Sequence, residues 1–276
     1  MTRRLVITAD DLGRDSATNE AILGLFADGC VTAATLLAVA PAADDAVHAL
    51  RGMDAVPHAH LALTRDVGTG WAPLSGAPAD DDGLLPADPA ALAGVSIDTV
   101  IAELDAQHAW FVERGAHPVV ADAHAGALYG LDGRPWLEHV LPWCAQHALA
   151  FRLPRDPTSY IGEPLPAALA VAHERAITAA DRLGVPLPDS ILTNRGTAAE
   201  WGSYDAFLDA MIGQLTLVPE GTSEFFVHPS AEDAVPGDAG IMRSWEARLL
   251  RDAQWREALE EEGIVKATTW TDREDG

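Results

Sequence analysis

The chain has 276 residues, 48% of them hydrophobic, enough to bury a sizeable α/β core and too apolar for wholesale disorder. Its 42 acidic residues against 18 basic ones give a formal net charge of -24. Such a surface repels phosphate backbones and anionic lipid, which disfavours nucleic-acid and membrane-surface roles.

The first unit reads as a strand, Leu5-Val6-Ile7-Thr8, running directly into Ala9-Asp10-Asp11-Leu12-Gly13. Ser16 can then cap a helix that ends at Gly29. Val31 to Val39 reads as a second strand, and Pro41 with Ala42 to Leu50 begins a second helix. His60-Leu61-Ala62-Leu63 is a short strand. Thr64 to Gly94, rich in Gly, Pro and Asp, is a long loop, and long loops in compact domains are often functional lids. Ile97 to Arg114 has helical spacing and stops at Gly115. Val119 to Asp122 is a strand, Trp136 to His147 a helix, Ala150 to Leu153 a strand, and Pro164 to Leu183 mostly helix. Ile191 to Thr193, Glu224 to Val227 and Ile264 to Thr269 read as strands, with helices over Tyr204 to Leu215 and Ser244 to Glu262.

This alternation along the whole length, with no obvious linker, predicts one domain over 1–276 with a mainly parallel sheet. A closed or nearly closed (β/α) barrel is the simplest form, and a doubly wound open sheet is the alternative. Cys30 and Cys144 lack the C-x-x-C spacing of a zinc or redox pair and read as small buried hydrophobes. The opening residues reach two acids by position 11, unlike a secretory signal, and no apolar run approaches about 18 residues. A cytoplasmic protein is expected.

Barrels of this kind carry their site at the C-terminal ends of the strands. Here those ends offer Asp10 and Asp11, then His58 and His60, then Asp122 and His124, Arg152 and Arg155, and finally His228. One carboxylate and two imidazoles leave open positions on a divalent ion, as catalysis requires. Adjacent carboxylates point apart on an extended chain, so one of Asp10 and Asp11 can ligate while the other stays free as a base. His60 and His124 are the best imidazole candidates. His108, His117, His139, His147 and His173 lie on or near predicted helices and read as ordinary surface or core residues. Trp71, Trp136 or Trp201 could stack on a sugar ring, although most tryptophans are core anchors.

The run Ile7 to Gly13, followed by Asn19-Glu20-Ala21-Ile22, resembles the opening of the YdjC-like (ChbG-like) carbohydrate deacetylases, N-A-D-D-F-G and then N-x-x-I. Gly29 to Thr35 is similar to the family's G-x-V-T-S-T-S, His60 to Thr64 to H-L-N-L-T, and Asp122-Ala123-His124 to D-S-H. Glu103, Gln107, Phe111, Gly115, Pro118, His228-Pro229 and the helix from Glu246 to Ile264 match in the same order. The resemblance implies an irregular, TIM-barrel-like (β/α) barrel and a hydrolase that removes an acetyl group from an N-acetylated sugar or oligosaccharide. It implies a divalent ion held by Asp11, His60 and His124, with Asp10 as general base, His228 as acid or oxyanion partner, and Arg152 against substrate. The ligand set favours Zn²⁺ and admits Mg²⁺. The family's H-H-x-H cluster is replaced after His124 by Ala125-Gly126-Ala127-Leu128, and Thr8 and Leu12 stand for Asn and Phe. That change motivates one alternative, a non-catalytic metal- and glycan-binding protein; a second is a hydrolase of another amide or ester, since function lies in the site and not the fold. Association as a homodimer is compatible with the sequence but not encoded in any readable motif.

Overall fold

The computed structural model describes residues 2–53, 55–129 and 136–271. Eight strands alternate with helices: β1 (Arg3–Leu12), α1 (Ser16–Ala27), β2 (Ala33–Leu36), α2 (Ala43–Gly52), β3 (His58–Leu61), α3 (Ile97–Glu113), β4 (Val120–Ala123), α4 (Leu137–Gln146) and β5 (Ala150–Phe151). Then come α5 (Thr158–Ile161), α6 (Ala167–Leu183), β6 (Ile191–Thr193), α7 (Ala198–Trp201), α8 (Tyr204–Gln214), β7 (Gly221–Val227), α9 (Asp238–Arg251), α10 (Ala253–Glu261) and β8 (Val265–Ala267).

The strands form one sheet in the order β5-β4-β3-β2-β1-β7-β6, with β8 on β1, and every pairing is parallel. The sheet is curled and its two edges meet. Phe151 N–H donates to Pro186 O, Arg155 N–H to Pro188 O, Asp156 N–H to Asp189 O, and Asp156 bridges Ser190. The result is an irregular α/β barrel closed by a seam of isolated bonds, which decides against the doubly wound open sheet.

β1 is the axis of the fold. Leu5, Val6, Ile7 and Ala9 are fully buried, and β1 pairs with β7 along Arg3 to Ala9 and with β2 from Thr8 onward. Helices cover the sheet from outside, as parallel strands require. On α3 the apolar face Val100, Leu104 and Phe111 is fully buried, each side chain contributing roughly 1.5–3 kcal/mol by leaving water.

Several expected boundaries move for identifiable reasons. The first helix is capped by Asp15, whose carboxylate accepts from Thr18 N–H, not by Ser16. The expected helix from Ser244 to Glu262 is two helices, because Asp252 turns to extended backbone and its carboxylate caps α10 at Gln254 N–H. Trp71 and Trp136 are buried anchors, 1% and 0% exposed, so neither offers a face to a sugar.

Candidate metal centre and catalytic pocket

The C-terminal ends of the strands converge on one cavity of about 1100 Å³. Asp10 and Asp11 enter it together from β1. On a regular strand they would face opposite sides, but the register to β2 slips here: Ala9 faces Ala34, whereas Leu12 faces Leu36. This bulge, with Asp11 in the left-handed region at φ 70°, turns both carboxylates toward the cavity. A non-glycine residue pays on the order of 1–2 kcal/mol for that backbone. The turn behind it is secured by Asn19, whose amide oxygen accepts from Gly13 N–H (2.7 Å) and whose NH₂ donates to Ala42 O (2.9 Å).

Asp11 from β1, His60 from β3 and His124 from just past β4 form a nearly equilateral triangle of donors. Asp11 Oδ1 lies 3.4 Å from His60 Nε2 and 3.4 Å from His124 Nδ1, and the two nitrogens are 3.3 Å apart. A tetrahedral ion bound at about 2.0–2.1 Å has ligand atoms about 3.3–3.4 Å apart, so the triangle has the size of one tetrahedral face.

Three further features fit a cation. Asp11 Oδ1 is buried with no hydrogen-bond partner. Each imidazole has a carboxylate behind it: His60 Nδ1 lies 2.8 Å from Asp122 Oδ1, and His124 Nε2 lies 3.1 Å from Asp66 Oδ1. With an ion bound, those partners would hold the protons on the outer nitrogens and leave both inner lone pairs free to ligate. Finally, the buried carboxylates Asp10, Asp11, Asp122 and Glu224 outnumber the two guanidiniums against them, Arg152 and Arg243. Without an ion, the imidazoles answer that charge. Burial alone would lower the His60 pKa, but Asp122, Asp11 and Asp10 outweigh it and raise it to about 10. His124 is raised by Asp11 and Asp66 against the same burial.

Asp10 sits beside the triangle in a different setting. Its Oδ1 accepts from Thr35 Oγ1 (2.9 Å) and Arg152 Nη2 (2.9 Å), and its Oδ2 from Arg152 Nη1 (2.7 Å). Burial pushes the Asp10 pKa up, but Arg152, His60 and His228 prevail and hold it below the ordinary value. His228, at the end of β7, brings Nε2 to 3.9 Å from Asp10 Oδ2, with its side chain 36% exposed. Its backbone N–H donates to buried Glu246 (2.8 Å), which also accepts from Asn194.

Arg152 lines the cavity but is wrapped in carboxylates. Besides Asp10 it pairs with Asp122 Oδ2 (2.5 Å) and donates to Glu224 through Nε (2.9 Å) and Nη2 (2.8 Å). Burial raises the Glu224 pKa to about 7 despite Arg152. Four participants were not singled out as site residues: Asp66, Asp122 as a partner of His60, Glu224 and Arg243. Arg243 Nη2 holds Asp11 Oδ2 at 2.6 Å, and Arg14 pairs with Asp66. Asp122 was visible as a polar strand end. The others come from a loop, a strand interior and a helix, and only the tertiary fold brings them in.

A family model described as YdjC-like protein matches residues 4–261. The chain belongs to the YdjC-like family. A carbohydrate deacetylase of Geobacillus stearothermophilus is 33% identical over 159 residues, 57% of this chain. That alignment spans 60% of the relative's own length. A crystal structure from Enterococcus faecalis V583, solved as a candidate cellobiose-phosphate cleavage protein, has the same fold: TM-score 0.76, 23% identity, 98% of both chains covered. The YdjC-like motif positions acquire physical roles in this chain. Gln107 brackets β3 by accepting from Ala62 N–H (3.0 Å) and donating to Ala62 O (2.7 Å). Glu103 accepts from Leu74 and Ser75 N–H, pinning the long loop that delivers Asp66. Ala125 and Gly126 line the cavity where the family pattern carries histidines. Among the described residues no helix is long and apolar enough to cross a membrane.

Proposed function

We propose that this protein is a metal-dependent carbohydrate N-deacetylase, hydrolysing the amide of an N-acetylated sugar or oligosaccharide to acetate and a free amine. The observation that carries the reading is the donor triangle of Asp11, His60 and His124 with a separate, ionised Asp10 beside it. Membership of the YdjC-like family and the likeness to a carbohydrate deacetylase support the choice of bond. Asp11, His60 and His124 would hold the ion. Zn²⁺ suits two imidazoles and a carboxylate at tetrahedral spacing, and Mg²⁺ suits them less well. When bound, such an ion polarises a carbonyl and acidifies water.

The chain's own residues supply the proton handling. Asp10 is ionised, and Arg152 and Thr35 fix its plane, so Oδ2 is oriented to take a proton from the attacking water. His228, half open to the cavity and near Oδ2, donates a proton to the departing nitrogen as the C–N bond breaks. Arg152 keeps Asp10 anionic and aligned, and with Nε, Nη1 and Nη2 all held by carboxylates it acts through Asp10. Positioned general acid–base help of this kind is worth roughly 10²–10⁴-fold.

The test is acetate release from a panel of N-acetylated sugars, using protein stripped by chelator and refilled with Zn²⁺, Co²⁺, Mn²⁺ or Mg²⁺. Release should need the ion, and Asp10→Asn should lower turnover at least 100-fold with the ion still bound. Tight ion and glycan binding without acetate release would instead favour a binding protein on the same fold. Release of another acid from an ester or amide panel would favour a different hydrolase.

A further inference from the structure

The cavity is most polar where the strands end. Its outer wall is built by helices and is mostly apolar, with Glu138 on α4 and His173 and Arg175 on α6 among its lining. Leu165, Leu169, Ala172, Ala176 and Ala179 recur at steps of four, three, four and three residues, so one face of α6 with its leading turn looks into the cavity. Leu137 and Leu141 on α4 oppose it, and Tyr160 and Ile161 on α5 close the side. The first turns of α6 extend beyond the protein body, leaving Leu169 56% and Val171 48% exposed.

Two of the polar groups on this wall already have partners. Tyr129 Oη donates to Arg152 O (2.6 Å), and His173 Nε2 bonds Pro154 O (2.8 Å). Along the leucine and alanine face of α6, hydroxyls of a second or third sugar ring would lose water without gaining hydrogen bonds. At about 1100 Å³ the cavity is also larger than the roughly 300–1,000 Å³ of most small-ligand sites. An acetyl group on one sugar ring leaves much of it unfilled.

We infer that this site takes an N-acylated amino sugar carrying a long apolar arm, which lies between α4 and α6 while the amide sits at the polar end. The inference rests on the deacetylase reading for where the amide is placed. The arm is either the acyl chain itself or an alkyl group on the sugar's anomeric oxygen, and both present the same hydrocarbon to the same wall.

The two sources separate in a binding experiment that needs no turnover. Zn²⁺-loaded Asp10→Asn protein is titrated calorimetrically, below micelle-forming concentrations, with N-acyl glucosamines from acetyl to octanoyl. A second series uses N-acetylglucosaminides from methyl to octyl. In one series Kd should fall up to about fourfold per added methylene, the value of a buried CH₂. Leu169→Asp should reduce that gain per methylene. Chain-length dependence without any turnover by the unmutated protein would keep this inference and remove the deacetylase reading. Turnover of short N-acetyl sugars with both series flat would do the reverse. Flat series together with a dimer that Leu169→Asp dissolves would assign the α6 face to a second copy of the chain and overturn the inference.

Discussion

Arg152 is 5% exposed and meets three carboxylates from three strands, Asp10, Asp122 and Glu224. Removing one member of such a buried cluster leaves uncompensated charge and costs about 3–5 kcal/mol. Arg152→Met is therefore expected to lower the unfolding free energy by that amount, and Arg152→Lys to recover only part, since an ammonium cannot donate to three carboxylates as a planar fork does. Denaturant titration of the ion-loaded variants checks both. His58 makes the opposite case. It is 3% exposed and packs edge-on against Trp270 with ring centroids 5.9 Å apart. Burial, aided by Arg152, lowers its pKa from 6.5 to about 4. Its folded pKa lies below its unfolded one, so its contribution is intact above about pH 6.5 and is lost as pH falls toward 4. The linkage is worth about 3 kcal/mol. Thermal melts between pH 7 and 4 should show this slope, and His58→Phe should flatten it. His58 and His60 stand two residues apart on β3 and so share one face of the strand; only the fold shows that His60 meets Asp11 while His58 packs against Trp270. Asp66 and Arg243 left no local signal, because their partners His124 and Asp11 are 58 and 232 residues away.

Elements were more legible than contacts. β1 announced itself as an apolar run ending in two aspartates, and its C-terminal end is where the site lies. What composition could not reveal was the bulge that turns both carboxylates inward, since it depends on register against β2. Gly13 belongs to the same device. It has φ 94°, and a Cβ there would stand 3.1 Å from Ala43 Cα and 3.2 Å from Leu37 O. Gly13→Ala is expected to cost about 1–2 kcal/mol or more and to weaken ion binding, because the displaced turn carries Asp11 with it. Denaturation and calorimetric titration with Zn²⁺ measure the two effects separately. The helix pair α9 and α10 shows the limit of periodicity: the apolar spacing runs through Asp252, while the cap that breaks it depends on one carboxylate finding Gln254 N–H.

At the scale of the whole molecule, strand–helix alternation pointed to a parallel sheet, and the sheet is parallel throughout. A closed or nearly closed barrel was the simplest form of that alternation, and the sheet does curl to meet itself; the seam that closes it was not legible, because it consists of backbone bonds between irregular segments that carry no periodic pattern. That seam has a kinetic meaning. Strands joined by continuous ladders open together, whereas Phe151, Arg155 and Asp156 meet residues 186–190 through isolated bonds. Opening there requires breaking few interactions, so it belongs to the low free-energy end of local unfolding. Amide hydrogen exchange should therefore be faster at Arg155 and Asp156 than at Ile7 or Phe225 in the β1–β7 ladder. A buried ionic tie also crosses this boundary: Arg152, at the seam, is bound to Asp10 and Glu224 on β1 and β7. The residue that aligns the proposed base thus also acts as the latch of the barrel, and the same event that unlatches it takes the base out of line.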